Sequence, residues 1–204
     1  MHRTAKRNRH IALAFLLLGA LVGCGPVVLA AGAGATVGLA AAQERGVSGT
    51  ARDAQIRVEI NDLWFRQDIV LMQALNLQIY EGRVLVSGVV PDMQMQEDAI
   101  RLAWQPGGVR DVINEVAVRP SGGVQEYSRD VWIATQLRTK LLFAKEIVAI
   151  NYSVQSVGGI VYLLGLAQDQ AELDRALETA RTTPYVKRVV SHVLIKGDPL
   201  RKRS

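Results

Sequence analysis

The chain has 204 residues, 49% hydrophobic and 5% aromatic, with 24 Lys or Arg, 19 Asp or Glu, three His and one Cys. One thiol, no His-rich constellation, no G-x-S-x-G and no G-x-x-x-x-G-K-[ST] argue against the common nucleophilic, metal-dependent and phosphate-cradling enzymes, so neither catalytic residues, metal nor cofactor is expected. The formal net charge of +5 falls to +1 without Arg3, Lys6, Arg7 and Arg9, so it does not argue for a nucleic-acid partner.

Those four cations precede an apolar run, Ile11 to Leu21, and the two together read as the n-region and h-region of a secretory signal peptide. The next stretch, Leu21-Val22-Gly23-Cys24, resembles the bacterial lipobox, with a large apolar residue three places before Cys and a small one directly before it. The resemblance implies that residues 1–23 are removed and that Cys24 is the lipid attachment. The alternative is a small apolar residue in an uncleaved helix. A catalytic or metal-binding Cys24 would need partners, and His2 and His10 leave with the signal, so His192 alone would remain. Gly25 rather than Asp follows the cysteine. By the sorting rule of well-studied lipoproteins, this implies the periplasmic face of the outer membrane. Residues 24–50 are then the acylated cysteine and an Ala/Gly-rich tether. Pro26 to Ala42 is uncharged, with a surface-skimming helix or a membrane span as its other readings.

Beyond the tether the chain repeats itself. A shift of 77 residues superimposes 53–118 on 130–195 without a gap. Asp53 meets Asp130, Gly82 meets Gly159, Gly88 meets Gly165, Asp92 meets Asp169, and Val109, Val112 and Val116 meet Val186, Val189 and Val193. The expected boundaries are 51–119 for the first domain, 120–129 for a linker, 130–196 for the second domain and 197–204 for a basic tail, read as a solvated end.

Each copy opens with apolar residues every four positions, Ile56, Ile60, Trp64 and Ile133, Leu137, Leu141, which predicts a helix with one buried face. Two alternating segments follow, LNLQIYEGRVLVSG and YSVQSVGGIVYLLG, each divided by glycine as in a hairpin. A second helix is predicted over 92–104 and 169–181, with Asp92 and Asp169 at its positive end. The recurrence of Asp53 and Asp130 reads the same way, as a mark of where the first helix starts. VRDVINEVAV and VKRVVSHVLI close the copies as strands. The order is αββαβ, twice.

A helix, a G-x-V-x-L/V-x-G hairpin and a V-x-x-V-x-N/S-x-V strand resemble the BON domain. Two such repeats behind a lipobox resemble the dual-BON outer-membrane lipoproteins associated with envelope integrity and division, and more distantly the periplasmic osmotic-stress protein built from the same repeats. The resemblance implies an α+β fold, with two helices packed on a small three-stranded mixed sheet in each domain. It also implies a non-enzymatic, phospholipid-binding role.

The copies differ in charge: 53–118 carries five Arg against ten acids, and 130–204 eleven Lys or Arg against seven acids. With Ile133, Leu137 and Leu141 inward at 100° per residue, Trp132, Gln136, Thr139 and Phe143 share an adjoining stripe. The matching stripe in the first copy is Gln55, Glu59, Asp62 and Arg66. Trp132 and Phe143 are large enough to enter a headgroup boundary, with Arg138, Lys140 and Lys145 on phosphates. The family binds lipid through the first helix of its second BON domain, on which Trp132 lies. The partners expected are therefore anionic phospholipids, phosphatidylglycerol or cardiolipin, and the outer membrane. Two other readings stay open. Trp132 and Phe143 could pack between the repeats, or the domains could serve as an interaction scaffold for envelope or division proteins. His192, in an alternating strand, reads as structural.

Overall fold

The computed structural model describes residues 42–119 and 124–202. Cys24, the signal segment and all but the end of the tether lie outside the described residues. In the first repeat, α1 (Gly46–Gln67) and a short α2 (Ile69–Ala74) lead into β1 (Leu75–Tyr80), β2 (Arg83–Val90), α3 (Met93–Ala103) and β3 (Asp111–Val118). In the second, α4 (Val124–Phe143) and a 3-10 turn (Ala149–Asn151) lead into β4 (Tyr152–Val157), β5 (Ile160–Ala167), α5 (Gln170–Arg181) and β6 (Arg188–Ile195), and a last 3-10 turn spans Pro199–Lys202.

Each repeat forms a mixed sheet whose middle strand pairs antiparallel with the hairpin strand before it and parallel with the strand after it. The register repeats with the sequence: Leu75 faces Gly88 as Tyr152 faces Gly165. The parallel pairing needs a crossover, which α3 and α5 supply. Their starts are capped as the acids at 92 and 169 suggest, Asp92 accepting from Met95 N and Asp169 from Glu172 N, each at 2.8 Å.

Asp53 and Asp130 have another task. Both are buried inside their helices, one to two turns beyond the start, and each holds a hairpin turn. The turns need positive φ at both central residues, met by Glu81 and Gly82 (52° and 73°) and by Gly158 and Gly159 (61° and 82°). Asp53 accepts from Glu81 N and Gly82 N at 2.9 Å and pairs with Arg45. Asp130 accepts from Gly158 N (2.6 Å), Gly159 N (2.8 Å) and Ser156 Oγ (2.6 Å). The aspartates recur because two amide donors in each hairpin, one of them buried and the other partly so, require an acceptor, not because helices begin there. The helices begin earlier, α1 within the stretch read as tether and α4 within the stretch read as linker.

Ile56, Ile60 and Trp64 pack with Ala99 and Ala103 on Val84 and Val86, and Ile133, Leu137 and Leu141 pack with Ala176 and Ala180 on Val161 and Leu163. Trp64 Nε1 also donates to Ala99 O at 3.1 Å. The other face of each sheet meets the other sheet. Tyr80 and Leu85 pack with Tyr162, Leu164 and Leu166 in a third core, closed by Ile113, Val157, Ile160, Val190 and Leu194. The middle strands are apolar on both faces for this reason. The helices lie on the outside.

Polar contacts close the rim of this seam. Glu115 and His192, the same position in the two repeats, meet at 2.9 Å, and Arg83 donates to His192 O at 2.8 Å. Gln43 donates to Ile150 O (2.9 Å), Glu44 N to Asn151 Oδ1 (3.1 Å), and Lys196 pairs with Glu44 (2.9 Å). The tail is not a free solvated end through residue 201: Arg201 forks onto Glu81, Nε at 2.8 Å and Nη2 at 2.7 Å, which holds its guanidinium pKa above the ordinary arginine range.

Asp130→Ala leaves the two turn amides of Gly158 and Gly159 without their acceptor and is expected to cost about 3 kcal/mol in urea unfolding. Gly165→Ala is expected to cost at least ~2 kcal/mol in the same measurement, since its Cβ would overlap Asn151 O at a φ of +148°.

Candidate membrane-docking surface

Because the repeats meet through their sheets, none of the described elements covers the outward side of α4. Trp132 is 41% exposed and Phe143 79% exposed, so neither is consumed between the repeats. Thr139 is exposed beside them and Gln136 is half-buried, and Thr139 Oγ1 donates to Thr135 O at 3.0 Å. Val131 and Leu142 are exposed on the flank of the same face. The apolar side chains thus gather at the two ends of the stripe, with Thr135, Gln136 and Thr139 between them.

The predicted cations divide into two kinds. Arg138 is turned to the sheet, where its Nη2 donates to Val154 O of the edge strand β4. Arg57 of α1 does the same for Leu77 O of β1 at 2.7 Å, so an arginine covers an edge carbonyl in both repeats. Lys140 reaches across to the residues that follow α5, 3.4 Å from Thr182 O and 3.3 Å from Thr183 Oγ1. Lys145 is exposed. With Phe143, Lys140 and Lys145 line an open groove of about 580 Å³ between the end of α4 and Arg175 and Thr179 of α5.

At the other end of α4 the fold adds residues that the helical stripe does not contain. Tyr185, from the loop between α5 and β6, meets Trp132 edge to face, ring centroids 5.4 Å apart. The guanidinium of Arg129 lies over the Tyr185 ring at 5.6 Å. Both border a cleft of about 240 Å³ with Lys187, whose Nζ donates to Gly158 O at 2.9 Å. The one signal for Tyr185 in the sequence is the 77-residue shift, which sets it against Gly108.

The first repeat carries the expected polar stripe, with Gln55 bonded to Glu59 at 2.8 Å and Arg66 paired with Asp62 at 2.9 Å. It is not polar throughout, because Phe65, Ile69, Val70 and Met72 are exposed around the junction of α1 and α2. Among the described residues no helix is long and apolar enough to cross a membrane, and no cluster of three or more His, Cys, Asp or Glu could hold a metal.

Comparison with known proteins matches the BON domain model twice, over residues 52–120 and 129–197. The chain is 35% identical over 151 residues to an uncharacterized protein in the gshII 5' region of Anaplasma centrale, covering 74% of this chain and 99% of that one. It is 32% identical over 148 residues to a 21 kDa hemolysin of Actinobacillus pleuropneumoniae, covering 72% and 69%. It is 31% identical over 179 residues to the outer membrane lipoprotein DolP of Haemophilus influenzae, covering 86% and 91%.

The two kinds of cation are separable by stability. Arg138→Ala, which uncovers Val154 O, is expected to lose about 1.5 kcal/mol in urea unfolding, while Lys145→Ala stays within ~0.5 kcal/mol of the parent.

Proposed function

Since the chain belongs to the BON domain family, in which it carries two copies, we propose that it is a non-enzymatic protein of the bacterial envelope whose second BON domain docks on anionic phospholipid. The exposed outer side of α4 carries this reading: Trp132 and Phe143 stand free of the core while cations lie at both ends of the helix. The outer membrane lipoprotein relative supports the location. In the proposal Cys24 is acylated and holds the chain at the periplasmic face of the outer membrane, supporting the integrity of that membrane.

The docking surface is weak by itself. Burying roughly 100 to 200 Å² of aromatic surface at about 25 cal/mol per Å² stabilises contact by ~3 to 5 kcal/mol before ordering costs. Each basic residue near an anionic surface adds about 1 kcal/mol. An acyl anchor contributes ~0.8 kcal/mol per buried CH₂ and keeps the domain near lipid, so a weak contact suffices to orient it and to select headgroups. Trp132 and Phe143 enter the headgroup boundary, Gln136 and Thr139 face it between them, and Lys140 and Lys145 serve phosphates at the Phe143 end. Arg138 contributes its charge while tied to β4.

A second reading has its own observation. The exposed Phe65, Ile69, Val70 and Met72 of the acidic first repeat suit a protein contact of the envelope, such as a division or assembly component.

The test is amide hydrogen exchange of the full chain in nanodiscs of phosphatidylcholine, with and without phosphatidylglycerol. Residues 128–143 are expected to gain protection only with phosphatidylglycerol, and Trp132→Glu is expected to abolish the gain with an unchanged melting temperature. Equal exchange of α4 in both lipids, or a Trp132→Glu variant that behaves like the parent, would move the protein-contact reading ahead.

A further inference from the structure

The loop between the second helix and the third strand needs a left-handed residue in both repeats. The first repeat meets the need with Gly108 at φ +92°, which costs glycine little. The second has Tyr185 there at φ +67°, a region that bulky side chains rarely occupy. Backbone shape does not call for tyrosine, since glycine serves at the equivalent place. Core packing does not call for it either, because the residue is 63% exposed. What the ring does is stand against Trp132 and carry Arg129 over its face. A bulky residue held against its backbone preference, with its side chain displayed outward and glycine serving at the equivalent place, points to a role outside the fold.

The clefts beside these two loops differ in the same sense. In the first repeat, Arg52, Gly108 and Arg110 occupy the places of Arg129, Tyr185 and Lys187. The difference is Arg45, which enters the first cleft and lies on Asp53 and on Ile79 O at 2.9 Å; Arg110, in the place of Lys187, ends on a backbone carbonyl as Lys187 does, donating to Arg201 O at 2.7 Å. In the second repeat no cation plays the part of Arg45 among the described residues, and Asp130 at the cleft accepts from Ser156, Gly158 and Gly159. Among the described residues neither Arg129 nor Lys187 is paired with a carboxylate; one lies on an aromatic ring and the other on a backbone carbonyl. Two cations without acidic partners among the described residues, beside two exposed rings, match an anion that is itself joined to apolar matter. A free inorganic anion would gain nothing from the rings.

We propose that Arg129, Tyr185 and Lys187 form a headgroup site for the phosphodiester of an anionic glycerophospholipid in a bilayer, Arg129 and Lys187 taking the phosphate and Tyr185 with Trp132 the glycerol and first methylenes. The site rests on the reading that α4 faces the membrane, and it adds a headgroup contact outside the helical stripe.

The test uses the full chain in the same nanodiscs, with the phosphatidylglycerol mole fraction varied and protection of residues 128–143 and 182–190 as the readout. Tyr185→Gly restores the residue of the first repeat, so its melting temperature is expected at or above the parent value, while the mole fraction for half-maximal protection rises at least about threefold. Arg129→Gln with Lys187→Gln is expected to give a similar rise and a weaker salt dependence. If both variants respond like the parent while Trp132→Glu does not, α4 faces the membrane and the headgroup site is wrong. If the parent shows no response to phosphatidylglycerol, the membrane reading fails and takes this site with it. Should Tyr185→Gly melt well below the parent, the Arg129→Gln, Lys187→Gln variant decides, and a parent-like response there overturns the site. Protection of 182–190 by millimolar inorganic phosphate in phosphatidylcholine discs would also overturn it, as the mark of a site for soluble phosphate.

Discussion

A three-stranded sheet has two faces, and here both must be kept from water. Val84 and Val86 point to helices while Leu85 points away from them, and Val161 and Leu163 alternate in the same way with Tyr162, Leu164 and Leu166. The helices of each repeat cover one face only. A domain of this size buries too small a fraction of its surface to leave a second apolar face open, and the face that fits is the equivalent face of the other repeat. Sheet-on-sheet pairing puts every long helix on the outside. That is why the outer side of α4 is a surface, and why aromatics on it are available to a partner.

The third core is shared, so the repeats are not independent beads on a string. Its rim is closed by charged and polar groups from both copies, with Glu115 against His192 and Arg201 forked onto Glu81. These contacts surround the apolar seam rather than replace it. Each stands where two repeats that met differently would leave a charge without its partner.

Most of this architecture is legible in the primary structure because the two copies check one another. Apolar spacing of four at Ile56, Ile60, Trp64 and at Ile133, Leu137, Leu141 marks the same buried helix face twice, and the paired glycines mark the same hairpin. The exposed stripe of Trp132, Thr139 and Phe143 follows from helix geometry. What escapes is whatever depends on tertiary hydrogen bonding. A buried aspartate clamping a hairpin has the same one-letter signature as an aspartate at a helix start, and Arg138, tied to the β4 edge, looks like Lys145, which faces solvent. Tyr185 is hidden for a further reason: its significance lies in a backbone angle, visible only when the loop is compared with Gly108.

The way the chain enters the folded unit has a mechanical consequence. Gln43 and Glu44 are bonded to Ile150, Asn151 and Lys196 of the second repeat before α1 of the first has begun. Tension applied along the leading segment is therefore shared between the two repeats at their seam, loading them in parallel rather than in series.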